Sequence, residues 1–343
     1  GNTDLLHNEK ASARARTHTH THTHTHTHTH THTHIYIYIY IYIYIYIYIY
    51  IYIYIYITHV HTHTHRYNNT HYNTTTTRIR VGFISADFRM KATSYLILRM
   101  FRYFDRSKFE IFAFATSKDS SDQVVRASRV KTSWREILRH DVEHFVDFSK
   151  LTSAEMVREI HDRYKIDILV AWSGSAEKSF KKINLLKKNI IKILERGSTH
   201  ISFQNKILEE EFKNLKIDKI PIDKRIIEKE IREYNLSDYI FVPSAFAKKT
   251  FIENGINEKK IIKVPYGTNL DEFYAEENIS KQFTIISTGH ISVRKGSLYL
   301  LEAFNELNLD DCKLLMVGNI EKELFPFLKP FFLNPNIIFQ KHV

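Results

Sequence analysis

Two adjacent cations between two glycines form the group of residues best suited to chemistry in this sequence. Gly289, Arg294, Lys295 and Gly296 lie in the stretch 288–296, between an apolar run and a segment with helical spacing. An arginine can contact two phosphate oxygens at once, and the lysine adds a point charge. The glycines let the backbone approach a ligand, and a helix start offers unpaired N–H groups. The pattern predicts an anion site; the alternative is a solvated turn.

The elements around this loop follow from the apolar pattern. Residues 283–286 predict a buried strand, and residues 297–307 predict a helix with one apolar face. From residue 78 onward, short apolar strands alternate with helical segments, which is typical of βαβ units on a mostly parallel sheet. Further strands are predicted at 79–84, 109–114, 142–148, 166–171, 190–194, 313–317 and 336–340, and further helices at 93–104 and 153–164. The fold class is therefore α/β.

Polar residues follow several of these strands. In open parallel sheets, ligands bind at the carboxyl ends of the strands, which places Asp87, Lys91 and residues 173–174 near a cleft. Ser244 follows another apolar run and is predicted to cap a helix and to contact the ligand. These residues are expected on the acceptor side of the cleft.

The strand at 190–194 ends in a charged loop. Glu195 follows it, Ser198 or Thr199 is predicted to cap the next helix, and Arg196 and His200 are predicted to point into the cleft. A lone histidine is more often structural than catalytic, so a structural role for His200 is the alternative. No residue is assigned to the chemical step itself.

The anion loop resembles a known family. Together with 300–304 and 314–318, it is similar to the donor lobe of GT-B glycosyltransferases of the family-4 type. The resemblance implies that the loop holds the diphosphate of a nucleotide-sugar. Many members have arginine after the first glycine, where this chain has His290. Residues 187–343 follow the same family in order, through the segments 195–200, 237–244, 251–255 and 264–267.

The preceding segment, 78–175, resembles the start of the catalytic region of O-GlcNAc transferases. The matching pieces are 78–88, 93–96, 108–112, 145–147 and 166–170. That family has histidines where this chain has Lys91 and Tyr95. A lysine does not act as a near-neutral acid or base unless its pKa is depressed. The resemblance therefore implies a fold more than an activity.

The two resemblances imply a GT-B-like pair of Rossmann-like lobes with parallel sheets. We expect an acceptor-side lobe at 78–268 and a partial donor-binding lobe at 269–343. The second lobe is expected to be truncated, because family-4 enzymes carry two glutamates seven residues apart further along it. Residues 1–77 are predicted to be a low-complexity leader.

The leader consists largely of two dipeptide repeats. Residues 17–34 are nine Thr-His pairs and residues 35–56 are eleven Ile-Tyr pairs. The DNA repeats ACACAC and ATATAT encode these pairs, so we interpret the leader as disordered or as translated non-coding DNA. Its histidines form no closed ligand set, and no metal site is assigned. A signal-anchor at 35–56 is disfavoured because tyrosine prefers the membrane interface to the hydrocarbon core.

Net charge limits the classes of partner that this chain is expected to bind, and cysteine content limits its disulfide chemistry. Residues 78–343 contain 45 Lys and Arg against 36 Asp and Glu, a surplus of nine that suits an anionic partner. No nucleic-acid-binding module is recognisable, so no nucleic acid is expected. The basic, amphipathic stretch 178–192 predicts either peripheral membrane contact or a solvated helix face. Cys312 is the only cysteine and is predicted to be a buried thiol.

By resemblance, the expected function is sugar transfer from a nucleotide-sugar to a hydroxyl of a carbohydrate, a lipid-linked or a protein acceptor. The donor is a substrate, and no cofactor is expected. The family-4-like residues favour retention at the anomeric carbon, whereas the O-GlcNAc-transferase-like segment implies inversion. The alternatives are an inactive fragment, a pseudoenzyme or a chimera of gene fragments. The expected location is the cytoplasm, with peripheral membrane contact as an option.

Overall fold

The structure is a computed structural model that describes residues 78–89, 97, 100–118, 134–267 and 282–341. These residues belong to one compact unit, Thr77–Val343. The predicted leader at 1–77, Lys91 and the expected lobe boundary at 268/269 lie outside the described residues. The division into lobes therefore stays a prediction.

Seven parallel strands form the larger sheet. They are β1 Ile79–Ser85, β2 Phe109–Ala115, β3 His144–Asp147, β4 Ile168–Trp172, β5 Ile191–Glu195, β6 Tyr239–Val242 and β7 Ile261–Lys263. Their order is β3-β2-β1-β4-β5-β6-β7, and each strand runs parallel to its neighbours. The strand order reverses at β1, so a topological switch point lies between β1 and β4.

Helices cover this sheet. They are α1 Trp134–Asp141, α2 Ser153–Arg158, α3 Glu177–Leu185, α4 Ile201–Asn214, α5 Lys224–Leu236 and α6 Ala245–Glu253. Side chains of α2, α3, α5 and α6 pack on one sheet face in a single core with Leu169, Ala171, Leu194 and Ile240. Because side chains alternate along a strand, the residues next to these four project from the opposite face. Trp172, Glu195 and Phe241 are on that opposite face.

Local sequence signals explain where these helices begin. Thr152 and Glu155 form a reciprocal capping box at the start of α2, which continues as a π-helical turn over Glu159–Arg163. Asp223 caps α5 by accepting a hydrogen bond from the N–H of Arg225 at 2.8 Å.

A second, smaller sheet follows residue 282. Its strands are β8 Phe283–Thr288, β9 Cys312–Val317 and β10 Ile337–Gln340, in the parallel order β10-β9-β8, with helix α7 Ser297–Leu307 between β8 and β9. Leu301, Phe304, Leu314 and Met316 are buried in its core. Three residues near the end of α4, Phe212, Leu215 and Ile217, pack against the same core. Cys312 is buried and free, as predicted.

Strand β8 differs from its prediction in one respect. The strand exists, but it is not buried: Phe283 is 69% exposed and Ile286 is 60% exposed. Among the described strands, β8 pairs with β9 on one edge and has no neighbour on the other. An apolar run is buried on both sides only when elements cover both of its faces, and the run alone does not show whether they do.

The α/β fold class and the parallel sheets are confirmed. The predicted strands agree with the observed ones to within a few residues, and the helix at 297–307 is observed at α7. The predicted helix at 93–104 is mostly outside the described residues; within it, Met100–Tyr103 is a 3₁₀ turn. Over the described ranges, no helix is both long enough and apolar enough to cross a bilayer.

Candidate functional site

The predicted anion loop is a short 3₁₀ turn joined directly to α7. The turn covers Val293–Lys295 and ends at Gly296, whose φ of 66° is left-handed. Ser292 N–H donates to the Ser297 hydroxyl at 3.0 Å, and Ser297 N–H donates to the Ser292 carbonyl at 3.3 Å. These two hydrogen bonds fix the loop to the first residue of the helix.

Arg294 and Lys295 are both exposed, and within the described part of the chain neither side chain has a carboxylate at ion-pair distance. No side chain caps α7 at Gly296 either. Two full positive charges and the positive end of a helix therefore occupy one exposed corner. Such a corner is electrostatically suited to a diphosphate.

Two glycines allow the loop to start where it does. Gly289 has φ of 125° and Gly318 has φ of 151°, values that favour glycine. A Cβ atom placed on Gly318 would lie 1.8 Å from the carbonyl oxygen of Gly289. Gly289 N–H also donates to the Val317 carbonyl at 2.9 Å. The chain after β8 therefore passes very close to the chain after β9.

Helix α4 supports this loop from the side of the larger sheet. The Val293–Lys295 turn lies against α4. The hydroxyl of Tyr299, in the first turn of α7, donates to Glu211 Oε2 at 2.7 Å, and Lys219 pairs with Glu323. The helix that begins after the β5 loop thus also contacts the predicted anion loop.

At the switch point, the structure places two predicted residues at adjacent strand ends. Asp87 follows β1, and its N–H donates to the Ser85 hydroxyl at 2.9 Å. Ser173 follows β4, and its N–H donates to the Glu195 carbonyl at 3.0 Å. The Ser173 hydroxyl oxygen is buried and has no hydrogen-bond partner among the described residues. Asp87 and Ser173 therefore both follow the carboxyl ends of neighbouring strands, and their position beside a ligand stays a prediction.

Glu195 lies between two aromatic residues on the opposite sheet face. Its cross-strand neighbours are Trp172 on β4 and Phe241 on β6. Residues in register on adjacent parallel strands project from the same face, so the carboxyl is flanked by two ring systems. Burial among these groups raises the pKa of Glu195 to about 8. At neutral pH this carboxyl is mainly protonated.

Tyr266 completes this cluster and was not singled out from the sequence. A Cβ placed on Gly197 would lie 2.2 Å from the Tyr266 hydroxyl, so that hydroxyl rests on the backbone just after Glu195. Burial raises the pKa of Tyr266 to about 12; the Glu195 charge adds to the increase and the Arg196 charge opposes it. Only the absence of a side chain at position 197 hinted at this contact.

The side chain of Arg196 is engaged in contacts with other residues of this chain. Its guanidinium pairs with Glu230 at 3.1 Å, donates to the Thr199 carbonyl at 3.2 Å and lies 3.4 Å from Gln204 Oε1. Glu230 is itself buried and accepts a hydrogen bond from Tyr234 at 2.9 Å. The predicted cleft residue is therefore mostly buried, and it ties β5 to α4 and α5.

His200 is buried rather than placed in the cleft. It, and not Ser198 or Thr199, caps α4: His200 Nδ1 accepts from Ser202 N–H at 3.2 Å. The ring packs against Tyr234 and Phe251 and is only 3% exposed. Burial, with the Arg196 charge second, lowers the pKa of His200 to about 4. The structural alternative for this histidine is the one observed.

Ser244 caps α6, as predicted. Its hydroxyl accepts from the N–H of Ala247 at 3.1 Å, and the residue is exposed at the end of β6. This exposure leaves the residue accessible, and contact with a ligand stays a prediction.

A buried acid shapes the loop after β4 and was not predicted. Glu233 on α5 accepts from the N–H groups of Gly174, Ala176 and Glu177 at 2.5, 2.9 and 3.0 Å. It thereby caps α3 from a different helix. Burial raises the pKa of Glu233, and these hydrogen bonds act against the increase. No local pattern indicates this cap, because the acid lies more than 50 residues from the N–H groups.

Across the described ranges, no three His, Cys, Asp or Glu side chains are grouped so that they could hold a metal ion.

A known family is similar to the part of the chain that forms most of the larger sheet. The sequence model of Glycosyl transferase family 41 matches residues 54–207. The match begins within the Ile-Tyr repeat and continues past residue 175 into the stretch that resembles family 4. It covers β1 to β5 and the first half of α4.

Two curated proteins are similar to part of this chain. One is a probable UDP-N-acetylglucosamine–peptide N-acetylglucosaminyltransferase of Arabidopsis thaliana, 25% identical over 138 residues, which covers 39% of this chain and 13% of that protein. The other, a UDP-N-acetylglucosamine–peptide N-acetylglucosaminyltransferase of Caenorhabditis elegans, is 28% identical over 120 residues, or 35% and 10%. The chain therefore spans a small fraction of these relatives.

Solved structures show the same fold over a longer stretch. Crystal structures of Anabaena Alr3699/HepE, one with UDP and glucose and one with UDP, superpose with TM-scores of 0.51 and 0.52 at 12% and 10% identity. Each alignment covers 78% of this chain and 70% of the other. The chain has the GT-B glycosyltransferase fold and resembles the catalytic region of the O-GlcNAc transferases of family 41.

Proposed function

We propose that this protein transfers a sugar from a nucleotide-sugar to a hydroxyl acceptor. The observation that carries the proposal is the exposed corner formed by Arg294, Lys295 and the uncapped start of α7. The names of the similar proteins support it, because the two curated relatives are UDP-N-acetylglucosamine transferases and the HepE crystals contain UDP.

In this proposal, the loop acts on the leaving group. Breaking the bond between the anomeric carbon and the phosphate oxygen leaves negative charge on the nucleoside diphosphate. Arg294 and Lys295, with the N–H groups at the start of α7, stabilise that charge. Gly289 and Gly296 keep the backbone close to the phosphates. The donor is a substrate, and the proposal requires no other cofactor.

We propose retention at the anomeric carbon, with inversion as the alternative. The resemblance of residues 187–343 to family 4 supports retention, whereas the family 41 match supports the alternative. Proton NMR of a freshly formed product distinguishes them through the coupling constant of its anomeric proton. A configuration equal to that of the donor supports retention, and the opposite configuration overturns it.

For the acceptor side, a carbohydrate, a lipid-linked sugar or a protein hydroxyl all fit the proposal. Peripheral membrane contact through residues 178–192 is supported by the exposed lysines of α3 and by Leu185, which is 67% exposed beside them. Cosedimentation with phosphatidylglycerol vesicles tests it. Wild-type protein should bind, and Leu185→Glu should bind several-fold more weakly; equal binding would refute the contact. We further propose a cytoplasmic location.

The activity test measures UDP released from UDP-N-acetylglucosamine and UDP-glucose, with a panel of sugar acceptors. Lys295→Ala should lower kcat/KM at least about 10-fold, because a charge-assisted contact to the leaving group is lost. Lys322→Ala, which removes another exposed lysine of the same region, is the matched control. Equal turnover in wild type and Lys295→Ala contradicts the donor assignment. UDP binding without any turnover favours the pseudoenzyme alternative.

A further inference from the structure

We propose that Glu195, Trp172 and Tyr266 form a subsite that binds the ring of a carbohydrate acceptor. The subsite lies at the carboxyl ends of β4 and β5, on the sheet face opposite the main helical core. Its description as an acceptor site rests on the proposed function, but its affinity for a sugar does not.

The sheet register places an aromatic residue on each side of Glu195. Trp172 is the cross-strand partner of Glu195, and Phe241 flanks the carboxyl on the other side. Trp172 also contacts the buried ring of Phe88, with ring centroids 6.2 Å apart and an edge-to-face angle of 80°. That contact holds the indole on the same face as the carboxyl and limits its rotation.

Tyr266 supplies the second accessible ring. Its hydroxyl rests on the backbone of Gly197, two residues after Glu195, and 43% of the residue is exposed. Glu195 and Tyr266 are close enough for the carboxylate charge to affect the Tyr266 pKa. A partly buried carboxyl is therefore bordered by two aromatic side chains that retain access to solvent.

The chemistry of this cluster suits a neutral, hydroxyl-rich ring. A protonated carboxyl both donates and accepts a hydrogen bond, as a pair of neighbouring sugar hydroxyls does. Aromatic faces can pack on the apolar C–H face of a pyranose. The carboxyl pKa of about 8 keeps the group protonated at neutral pH.

The charges around Glu195 do not change this conclusion. Arg196 is the neighbouring cation, but its guanidinium is paired with the buried Glu230. Tyr266, the other titratable group, has a pKa raised to about 12 and stays neutral over the same range. A sugar that binds here therefore meets an uncharged surface below pH 8 and a carboxylate above it.

Trp172 itself reports on binding. The chain has two tryptophans, so Trp134→Phe leaves Trp172 as the only indole. In that background, methyl glycosides of glucose, galactose, mannose and N-acetylglucosamine are titrated at pH 7 while Trp172 emission is recorded. At least one glycoside should shift the emission, and Glu195→Ala should weaken its binding at least about 10-fold.

A neutral isostere separates hydrogen bonding from charge. Glu195→Gln should bind the same glycoside within about threefold of the parent at pH 7. At pH 9.5 the parent should lose affinity, whereas Glu195→Gln should not. Glu253→Ala, an exposed carboxylate on α6, is the control and should match the parent. If Glu195→Ala fails to fold, the Glu195→Gln comparison at the two pH values still decides the question.

Three results would overturn the subsite: no glycoside shifts Trp172 emission, Glu195→Ala binds as well as the parent, or the parent shows no pH dependence that Glu195→Gln lacks. UDP affinity is measured in the same proteins. If the parent protein binds a glycoside but not UDP, the donor-loop assignment fails and the subsite stands. If it binds UDP but no glycoside, the subsite fails and the donor-loop assignment stands.

Discussion

Two strand-to-helix loops of this protein both carry positively charged side chains, but the charges are paired in one loop and exposed in the other. After β5, an arginine follows the strand and precedes α4; after β8, an arginine and a lysine precede α7. Arg196 is mostly buried and paired with Glu230, whereas Arg294 and Lys295 are exposed and have no ion-pair partner in the described part of the chain. The charge of the first loop takes part in an ion pair within the fold, whereas the charges of the second loop stay exposed, as the proposed donor site requires.

The helix starts show the same contrast. The Nδ1 atom of His200 accepts a backbone N–H of α4, while α7 begins at Gly296 without any side-chain cap. A capped start offers fewer N–H groups to an anion than an uncapped one. A charged loop before a helix is thus a binding site only if its charges and N–H groups are not already satisfied.

The largest effect should come from disrupting the close backbone contact between Gly318 and Gly289, where the second loop begins. Gly318→Ala places a methyl group 1.8 Å from the Gly289 carbonyl oxygen, at a φ of 151°. We expect a loss of about 3–5 kcal/mol of unfolding free energy, because backbone must move. Denaturant titration measures the loss. Gly255→Ala, with φ of 85° and open space, should lose only about 1 kcal/mol. Equal losses would contradict the close approach.

The next largest effect should come from a substitution that disrupts the loop after β5 and leaves the loop after β8 intact. Glu230→Ala leaves the buried guanidinium of Arg196 and the Tyr234 hydroxyl without their acceptor. We expect a loss of about 3 kcal/mol of stability, the cost of an unpaired buried charge. Glu228→Gln on the same helix, half-exposed, should change stability by less than about 0.5 kcal/mol. UDP affinity should be unchanged in folded Glu230→Ala; a large decrease would mean that the first loop also binds the donor.

Glu195, in the first loop, should make the folding stability depend on pH. Its folded pKa of about 8 lies above the ordinary value of 4.5, so its stabilising contribution is present below pH 4.5 and is lost as the pH rises through 8. Glu195→Gln removes this loss. The variant should match wild type near pH 4.5 and exceed it by on the order of 5 kcal/mol at pH 9. Parallel stability profiles across this range would show that the pKa of Glu195 is not raised in the folded protein.

The smallest effect concerns a cap that faces solvent. Ser244→Ala removes the acceptor for the Ala247 N–H at the start of α6 and should cost about 1 kcal/mol. Ser244→Asp should restore the stability, because aspartate caps helices equally well. If alanine reduces acceptor affinity and aspartate does not restore it, the serine also contacts the ligand.

Much of the fold could be predicted from the sequence because it depends on local patterns. Apolar runs and helical spacing predicted α7 and eight of the ten described strands, all except β6 and β7, and glycines at 289 and 296 marked the loop. The prediction that β8 is buried was wrong, because exposure depends on which elements lie beside the strand. The cap at His200 was missed for a related reason: its ring is placed by contacts with Tyr234 and Phe251, which are distant in sequence.

The candidate site likewise has a part that local sequence predicts and a part that it does not. Residue types and spacing predicted a strand-to-helix loop with two glycines and two cations, because these features lie within nine residues. Its role as an anion site stays a prediction. The cluster at Glu195 depends on the register of β4, β5 and β6, and on Tyr266 reaching back over Gly197. Long-range register of this kind leaves no local signal.

The most direct test of the central claim compares UDP with uridine by isothermal titration calorimetry. The wild-type protein should bind UDP at least about 10-fold more tightly than uridine, a difference of about 1.4 kcal/mol supplied by the diphosphate. In Arg294→Ala/Lys295→Ala that ratio should fall towards one while uridine affinity stays the same. A ratio unchanged by the double substitution would show that these cations do not hold the diphosphate.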